Sequence, residues 1–259
     1  MRGRGVVGLL DNKVAIVTAA AGAGIGQASA RRMAEEGARV VVTDVHARRV
    51  QEVAQSMTSD FGYEVLGLTV DVRNVDDVRG MVDATIERHG RVDILMNNAG
   101  FNKLSPVWEM DDETWKSVID VNLTGTFHCI RAVLPHMIEQ KSGAIVSMAS
   151  MAGWVGSSDG EAHYSAAKAG VMGLTRAVAA EVGKHGIRVN AISPSLIYNE
   201  FLERIYPKEF FERFAKRVPL GRVGEPSDIA DLVLFLASDM SRYITGEVVS
   251  ISGGSVMVP

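Results

Sequence analysis

The chain has 259 residues, 47% of them hydrophobic and 22% charged, a globular composition at a length that α/β folds commonly fill with one domain. The formal net charge of −4 and the lack of a basic stripe argue against a nucleic-acid-binding protein. The single cysteine, Cys129, excludes an intrachain disulfide, and no apolar run approaches the roughly 20 residues that span a bilayer, so we expect a cytoplasmic protein without membrane contact.

Residues 1–11 are expected to form a loose N-terminal tail, because their apolar run is too short for a signal peptide. From residue 12 to residue 259, amphipathic segments alternate with short apolar runs rich in β-branched residues. These runs cover residues 13–19, 38–44, 64–72, 92–98, 144–150, 187–193 and 247–252. They lack strict alternation, which is typical of strands buried on both faces. The pattern predicts one doubly wound α/β domain, with a seven-stranded parallel sheet and helices on both faces.

The first predicted strand leads into a glycine-rich turn, TAAAGAGIGQAS at residues 18–29. Gly22, Gly24 and Gly26 would allow the backbone to turn tightly and to approach a pyrophosphate. The next helix would then direct its N-terminal N–H groups at that anion. The spacing does not match G-x-G-x-x-G, so the turn by itself is weak evidence for dinucleotide binding.

Asp44 ends the second predicted strand, twenty positions after Gly24. A carboxylate here accepts hydrogen bonds from a ribose 2′-hydroxyl and repels a 2′-phosphate. No Arg or Lys lies in the glycine turn, although Arg48 and Arg49 are near, so we predict NAD in preference to NADP. Asp44 could equally serve as the N-cap of the following helix.

Tyr164 and Lys168 in YSAAK lie four residues apart, which places them on one face of a helix. Taken alone, such a pair is more often a surface or core-edge contact than a reaction centre. A free tyrosine has a pKa near 10, and a neighbouring ammonium favours its phenolate form. The pair therefore becomes a candidate acid–base centre where other motifs supply a cofactor and a substrate.

Residues 195–226 form an aromatic-rich segment that is too long for an ordinary connection, and we expect a substrate lid. Phe201 and Tyr206 in this segment, together with Trp154, are the candidate substrate contacts and suit a bulky apolar alcohol or ketone. Four basic residues of the segment could bind an anionic group such as a coenzyme A phosphate: Lys208, Arg213, Lys216 and Arg217. The alternative is an amphipathic helical hairpin that only packs against the domain.

Six short motifs, taken together and in order, resemble the short-chain dehydrogenase/reductase family. They are the glycine turn after Thr18, NNAG at 97–100, VNLTGTF at 121–127, a serine at 150, YSAAK at 164–168 and SGG at 252–254. The resemblance covers nearly the whole chain. It implies a Rossmann-type fold, an NAD(P)-dependent oxidoreductase acting on CH–OH groups of a small-molecule substrate, and a homotetramer.

The resemblance also implies roles for single residues. Tyr164 would exchange a proton with the substrate oxygen, and Lys168 would hold the nicotinamide ribose. Ser150 would bond the substrate oxygen and Asn122 would hold a water in a proton relay; in the alternative, Ser150 only caps a turn and Asn122 only kinks its helix. The spacing from serine to tyrosine is one residue longer than usual, so Ser147 competes with Ser150, although it lies deeper in the strand.

The same resemblance names the residues expected to contact the cofactor. They are Thr18, Gly22, Gly24, Ile25, Gly26, Asp44, Asp71, Val72, Asn98, Ala99, Gly100, Tyr164, Lys168, Pro194 and Asn199. Asp71 would meet the adenine amino group. No metal site is predicted.

Two stretches depart from the family pattern near the cofactor. Ala19 stands where the family has a glycine, and one residue is inserted before Gly24, so that Gly22 could take over the tight turn. Later in the chain, Ser195 replaces a glycine and Asn199 replaces a threonine. Cofactor binding is expected to survive these changes with altered details.

The stretches TAAAGAGIG and SPSL are similar to those of bacterial dehydrogenases of ring-derived or fatty acyl-CoA esters, including steroid degradation intermediates, and of 3-oxoacyl-thioester reductases. We predict an NAD(H)-dependent enzyme that interconverts a secondary alcohol and a ketone on a bulky apolar substrate, such as a 3-oxoacyl thioester or a ring-derived acyl-CoA. The alternatives are an NADPH-dependent 3-oxoacyl-acyl-carrier-protein reductase and a non-catalytic dinucleotide-sensing module. Epimerases and dehydratases of the extended branch are disfavoured, because their chains are typically longer.

Overall fold

The computed structural model of this protein describes residues 8–199, 202 and 207–258. Within these residues, seven strands form one parallel sheet in the order β3-β2-β1-β4-β5-β6-β7. The strands are β1 (Val14–Val17), β2 (Arg39–Asp44), β3 (Leu66–Thr69), β4 (Ile94–Asn97), β5 (Gly143–Met148), β6 (Ile187–Pro194) and β7 (Val248–Ile251). Each strand lies inside a predicted apolar run or extends one residue beyond it. The predicted seven-stranded parallel sheet is therefore confirmed.

Helices connect the strands and cover the sheet. They are α1 (Ile25–Glu35), α2 (Ala47–Phe61), α3 (Val75–His89), α4 (Asp112–Ile119), α5 (Gly125–Gln140), α6 (Ala162–Val182), α7 (Lys208–Ala215) and α8 (Pro226–Ala237). A π-helical turn, Asp120–Thr124, joins α4 to α5. Over the part of the chain that the structure describes, no helix is both long and apolar enough to cross a membrane.

Apolar side chains cover both faces of the sheet. Val42 of β2 packs in a cluster with Met33 of α1 and Val233 of α8. Its neighbour Val41 belongs to the cluster on the other face, with Ile130 of α5. Successive side chains of a strand point to opposite faces, so both faces of the strand are buried and its sequence is apolar without alternation.

The strand order reverses at β1, which lies between β2 and β4. The sheet grows through β2 and β3 on one side and through β4 to β7 on the other. In open parallel sheets, a crevice forms beyond the carboxyl ends of the strands at such a reversal. The segments that follow β1, β4 and β5 carry Thr18, Asn98 and Ser150. The topology therefore brings predicted site residues from distant parts of the sequence to one edge of the sheet.

The segment 195–226 starts and ends beside the sheet. Ile197 pairs with Gly224 in an isolated bridge. Within the segment, α7 packs its buried Phe211 against Tyr198, with ring centroids 5.6 Å apart. The predicted substrate contacts Phe201 and Tyr206 lie outside the described residues.

Candidate active site

Hydrogen bonds hold the turn after β1 against the end of β4. The Thr18 hydroxyl donates to the Met96 carbonyl (3.3 Å) and accepts from the backbone N–H groups of Asn98 (2.9 Å) and Ala99 (3.0 Å). The Asn98 side-chain amide donates to the carbonyl oxygens of Thr18 (3.2 Å) and Ala19 (3.0 Å). Three residues predicted to bind cofactor, Thr18, Asn98 and Ala99, thus shape the glycine turn by bonding one another.

The left-handed residue of this turn is Ala19. Its φ is 52°, whereas neither Gly22 nor Gly24 has a positive φ. Gly22 does open a tight turn, in which its carbonyl oxygen accepts from the Gly24 N–H at 2.8 Å. The left-handed conformation, however, is borne by an alanine, and it costs a residue with a Cβ about 1 kcal/mol. Gly26 is required for close approach, because an added Cβ would lie 2.5 Å from both the Ala19 carbonyl oxygen and the Asn98 amide nitrogen.

The N-terminus of α1 faces open space. A Cβ added at Gly22 or Gly24 would meet nothing within 4 Å. Gly24 precedes the helix without a side-chain cap, and the first turn, which starts at Ile25, contains no acidic residue. The N–H groups of this turn therefore have neither a side-chain acceptor nor a repelling charge, as an anion site requires.

A cavity of about 410 Å³ lies beside Asp44. Its walls come from the ends of four strands and include Ala19, Asp44, Arg49, Asp71, Val72, Ala99 and Gly100. The Asp44 carboxylate accepts from the backbone N–H groups of Ala21 (3.3 Å) and His46 (3.0 Å). Burial raises the pKa of Asp44, opposed by the Ala21 hydrogen bond. The next helix has His46 as its N-cap residue, so Asp44 does not cap it and is instead part of the cavity wall.

Asp71 has a partner that the sequence reasoning missed. Arg73 Nε lies 3.0 Å from both oxygens of the Asp71 carboxylate, and this contact lowers the pKa of Asp71. Val72 is buried, and its carbonyl oxygen hydrogen-bonds the His128 ring 3.0 Å away. An adenine amino group would therefore share the Asp71 carboxylate with a guanidinium. The arginine two positions after Asp71 was the sequence feature that could have predicted this ion pair.

Tyr164 and Lys168 meet Ser150 beyond the end of β5. The Ser150 side chain lies close enough to the Tyr164 side chain to oppose the rise in the pKa of that tyrosine. Lys168 Nζ lies 5.4 Å from the centre of the Tyr164 ring and donates to the Met148 carbonyl oxygen at 2.8 Å. Three of the four predicted catalytic residues are thus brought together, with a backbone carbonyl that sequence reasoning did not anticipate.

Burial acts on both titrating groups of this cluster. It raises the pKa of Tyr164 to about 12, and the Ser150 side chain opposes that rise. It lowers the pKa of Lys168 to about 8, because the ammonium is almost completely removed from water. In the free protein Tyr164 is therefore a neutral phenol at neutral pH, and a positive charge placed beside it would favour ionisation.

Asn122 reaches the same place through the π-helical turn. Its fully buried side-chain amide donates to the carbonyl oxygens of Val118 (2.9 Å) and Phe101 (2.8 Å). Its Oδ1 has no hydrogen-bond partner among the described residues. A Cβ added at Gly100 would lie 2.6 Å from Asn122 Oδ1 and 3.4 Å from Lys168 Nζ. An uncommitted acceptor oxygen and an ammonium therefore converge next to Gly100, which suits a relay of protons.

The two candidate serines have different surroundings. Ser147 is fully buried within β5, and its hydroxyl accepts from the Asn97 side-chain amide at 3.1 Å. Ser150 lies beyond the strand, where its hydroxyl accepts from the Ala152 backbone N–H at 3.2 Å and its side chain acts on the pKa of Tyr164. Ser150 both caps a turn and contacts the tyrosine, so the two interpretations of this residue are compatible.

The remaining predicted residues lie around this centre. Pro194 ends β6, and Asn199 Oδ1 accepts from the Leu202 backbone N–H at 3.0 Å. Trp154 is partly buried just after the Ser150 turn, with the Arg176 guanidinium 5.7 Å from its ring centre. The Asn199 side chain is thus engaged in a local turn, while Trp154 lies four residues from the serine.

A family profile described as enoyl-(acyl carrier protein) reductase matches residues 19–255 of this chain. The match spans the glycine turn, the Tyr164–Lys168 pair and the last strand.

Characterised proteins similar to this chain are oxidoreductases. A hydroxy-methyl-oxo-hexahydro-indene-carboxyl-CoA reductase of Mycobacterium tuberculosis is 45% identical, over 95% of this chain and 94% of its own. A hydroxy(phenyl)methylsuccinyl-CoA dehydrogenase subunit of Thauera aromatica is 43% identical (95% and 97% covered). A 3-oxoacyl-acyl-carrier-protein reductase of Thermotoga maritima is 38% identical (96% and 99%). The crystal structure of levodione reductase superimposes with a TM-score of 0.89 at 36% identity, covering 95% of this chain and 98% of that one.

Proposed function

Because the chain belongs to the short-chain dehydrogenase/reductase family of oxidoreductases, we propose that it interconverts a secondary alcohol and a ketone on a bulky apolar coenzyme A thioester, with NAD(H) as cofactor. The observation that carries the proposal is the grouping of the Ser150 and Tyr164 side chains with the buried ammonium of Lys168, which lies 5.4 Å from the centre of the Tyr164 ring. Two hydroxyls and a cation in one place can hold a substrate oxygen and exchange a proton with it as an alcohol and a ketone interconvert.

The chain's own residues would handle the proton. Ser150 and Tyr164 hold the substrate oxygen between their hydroxyls, which fixes the position of the reacting carbon. Tyr164 takes the proton of the alcohol, or returns it to the ketone oxygen in the reverse direction. Lys168 favours the phenolate, since its charge lies in a buried setting where screening is weak. Asn122 Oδ1, next to Lys168 Nζ, supports the passage of that proton out of the site.

The crevice suits a dinucleotide. The open N-terminus of α1 at Gly22 and Gly24 would take the pyrophosphate, and the cavity beside Asp44 would take the adenosine. A dinucleotide held there would supply the nicotinamide that accepts or donates the hydride of the substrate carbon. The Asp44 carboxylate supports NAD, because it would accept from a ribose hydroxyl and repel a phosphate. Arg49 on the same cavity is the feature that would favour NADPH.

The substrate class is supported by the site's surroundings and by the relatives. The two relatives at 45% and 43% identity are named for coenzyme A esters of ring-bearing acids. Apolar side chains are exposed around the site at Phe101, Leu104, Val107 and Val155. The exposed basic residues of 208–217 would meet the coenzyme's phosphates.

The test follows NADH oxidation by absorbance with 3-oxoacyl-CoA esters and with coenzyme A esters of bulky cyclic keto acids, beside parallel assays with NADPH. We expect turnover with NADH and a loss of at least 1,000-fold, roughly, in Tyr164→Phe, which lacks the proton donor. Tyr63→Phe is the matched control, because Tyr63 lies at the other edge of the sheet and its hydroxyl bonds the Ala38 carbonyl.

Other outcomes would overturn parts of the proposal. Turnover only with NADPH and an acyl-carrier-protein thioester would favour the activity for which the Thermotoga maritima relative is named. NADH binding without turnover on any ester would favour a dinucleotide-sensing module. Equal activity of Tyr164→Phe and wild type would remove Tyr164 from the reaction.

A further inference from the structure

His163 adjoins Tyr164, and we propose that it is a positioning residue that ties the substrate-side loop, residues 101–107, to the first turn of the catalytic helix. The inference rests on the proposed function, because it concerns how the substrate is placed against Tyr164. Nothing in the family resemblance assigns a role to this histidine.

Both ring nitrogens of His163 are engaged. The side chain is completely buried. Nδ1 lies 2.8 Å from the Tyr164 backbone nitrogen, and Nε2 lies 2.9 Å from the Lys103 carbonyl oxygen. An N–H group faces Nδ1, so Nδ1 accepts; a carbonyl faces Nε2, so Nε2 carries the proton and donates. The two contacts therefore define one neutral tautomer that bridges a backbone donor and a backbone acceptor.

The bridge satisfies an N–H group that the helix leaves open. α6 begins at Ala162, and the preceding Glu161 supplies no side-chain cap. The Tyr164 N–H belongs to the first turn, whose donors have no partner within the helix. His163 accepts from it, and the backbone of the catalytic tyrosine is thereby held by its own neighbour.

The other end of the bridge lies in a loop that touches the rest of the site. Phe101 supplies the carbonyl that accepts from the Asn122 amide at 2.8 Å. Leu104 and Val107 expose apolar side chains on the same loop. The loop is therefore held to Asn122 at Phe101 and, through His163, to Tyr164 at Lys103. A substrate that packs on the loop is thereby positioned against both residues.

Neighbouring contacts bring the loop and the start of α6 together without replacing the histidine. The Asn102 amide donates to Glu161 Oε2 at 2.9 Å, between exposed or partly exposed groups. The Ser105 N–H donates to the Gly160 carbonyl at 2.7 Å. These contacts precede the helix, whereas the His163 bridge reaches Tyr164 directly from a buried position. Changes at His163 should therefore affect the alignment of the tyrosine more than the presence of the loop.

Two conservative variants separate the two bonds. In His163→Asn, the amide oxygen can take the position of the histidine Nδ1 and accept from the Tyr164 N–H. The side chain is too short to reach the Lys103 carbonyl. In His163→Gln, the longer side chain places an N–H donor near the Nε2 position and retains the Lys103 bond. His163→Leu removes both. His185→Gln, in the turn after α6, is the control.

The experiment measures kcat and KM of each variant with the best coenzyme A ester, together with the NADH dissociation constant. We expect His163→Asn to raise KM roughly 10-fold with kcat near wild type, and His163→Gln to lower kcat roughly 10-fold with KM nearly unchanged. His163→Leu should lose about 100-fold or more in kcat/KM, because a displacement of a reacting group by about 1 Å costs about this much. Its NADH affinity should stay within about 3-fold of wild type. Equal kinetic constants in the three variants, or losses that follow thermal stability alone, would overturn the proposal.

Hydrogen exchange without substrate keeps this test separate from that of the proposed function. The amide of Tyr164 should be protected in wild type and in His163→Asn and should exchange faster in His163→Leu. Unchanged protection in His163→Leu would overturn the bridge even in an active enzyme. If wild type turned over no ester, the proposed function would fail, and the exchange data would still show whether His163 holds the tyrosine.

Discussion

At the scale of single residues, the burial of Lys168 opposes stability to the role proposed for its charge. Its side chain is 3% exposed, and its ammonium has the Met148 carbonyl as its hydrogen-bond acceptor. Burial lowers the pKa of Lys168 from 10.5 to about 8, which means that folding disfavours the charged form. The charge that we propose promotes ionisation of Tyr164 is therefore held at a cost to the folded state.

Substitution of Lys168 by methionine should stabilise the protein at neutral pH and abolish turnover. The unfolded chain binds more protons at Lys168 than the folded chain between pH 8 and about 10.5, so the wild-type free energy of unfolding rises with pH across that window. Below pH 8 the cost of burying the Lys168 ammonium is fully present, at roughly 3 kcal/mol. The methionine removes this cost but also loses the hydrogen bond to Met148, which offsets about 1 kcal/mol of the gain in stability.

Denaturant unfolding at several pH values checks this expectation. The free energy of unfolding of Lys168→Met should exceed that of wild type by about 2 kcal/mol at pH 7, and this difference should shrink toward pH 10. The exposed Lys184 provides the control Lys184→Met, which should show no such trend. A gain that stays constant with pH would mean that burial of the ammonium is not its cause.

At the scale of elements, the π-helical turn between α4 and α5 is what brings Asn122 into the site. The turn widens the helix at Asp120–Thr124, and the Asn122 amide bonds both the helix at Val118 and the loop at Phe101. Insertions of this kind in helices are frequent at functional sites. The element therefore fixes a polar side chain between a helix and the segment that follows β4.

Substitution of Gly100 by alanine should disturb this junction. The added Cβ would lie 2.6 Å from Asn122 Oδ1 and 3.4 Å from Lys168 Nζ, so the asparagine must shift. We expect kcat to fall roughly 10- to 100-fold with smaller changes in NADH affinity, measured by steady-state kinetics and cofactor fluorescence. Gly80→Ala in α3, where a Cβ meets nothing within 4 Å, is the control. Full activity of Gly100→Ala would show that the junction tolerates displacement.

At the scale of the whole molecule, two sets of exposed apolar side chains lie on separate elements. One set is Trp115 on α4 with Phe127 and Ile138 on α5. The other lies toward the C-terminus and includes Met240, Tyr243 and Met257. The family resemblance implies a homotetramer, and two different interfaces, each related by its own two-fold axis, would assemble four copies in a closed group.

We expect a homotetramer, as the resemblance implies, with the two exposed sets as its candidate interfaces. Phe127→Glu should disrupt one interface and Tyr243→Glu the other, so each single variant should be a dimer and the double variant a monomer by light scattering coupled to size exclusion. Gln55→Glu, at an exposed residue of α2 on neither set, should leave the tetramer intact. A wild-type monomer would refute the assembly, and tetrameric single variants would place the interfaces elsewhere.

The sequence by itself determined the positions of the seven strands, because a run of β-branched residues indicates a strand without reference to distant residues. It also determined that Tyr164 and Lys168 lie on one helix face, because four residues make about one helical turn. The tertiary structure alone decided what depends on distant partners. Thr18 and Asn98 bond across eighty residues of sequence, and Ser147 is distinguished from Ser150 by burial against Asn97.

Local signals were also overridden where the fold imposes a conformation. The left-handed turn lies at Ala19 although glycines follow it, because the Asn98 amide and the Thr18 bonds hold that backbone in place. The His163 bridge to Lys103 spans sixty residues and leaves no pattern in the sequence. Periodicity and spacing report a residue's own element, whereas hydrogen-bond partners, burial and pKa values arise only when the carboxyl ends of separate strands are brought to one crevice.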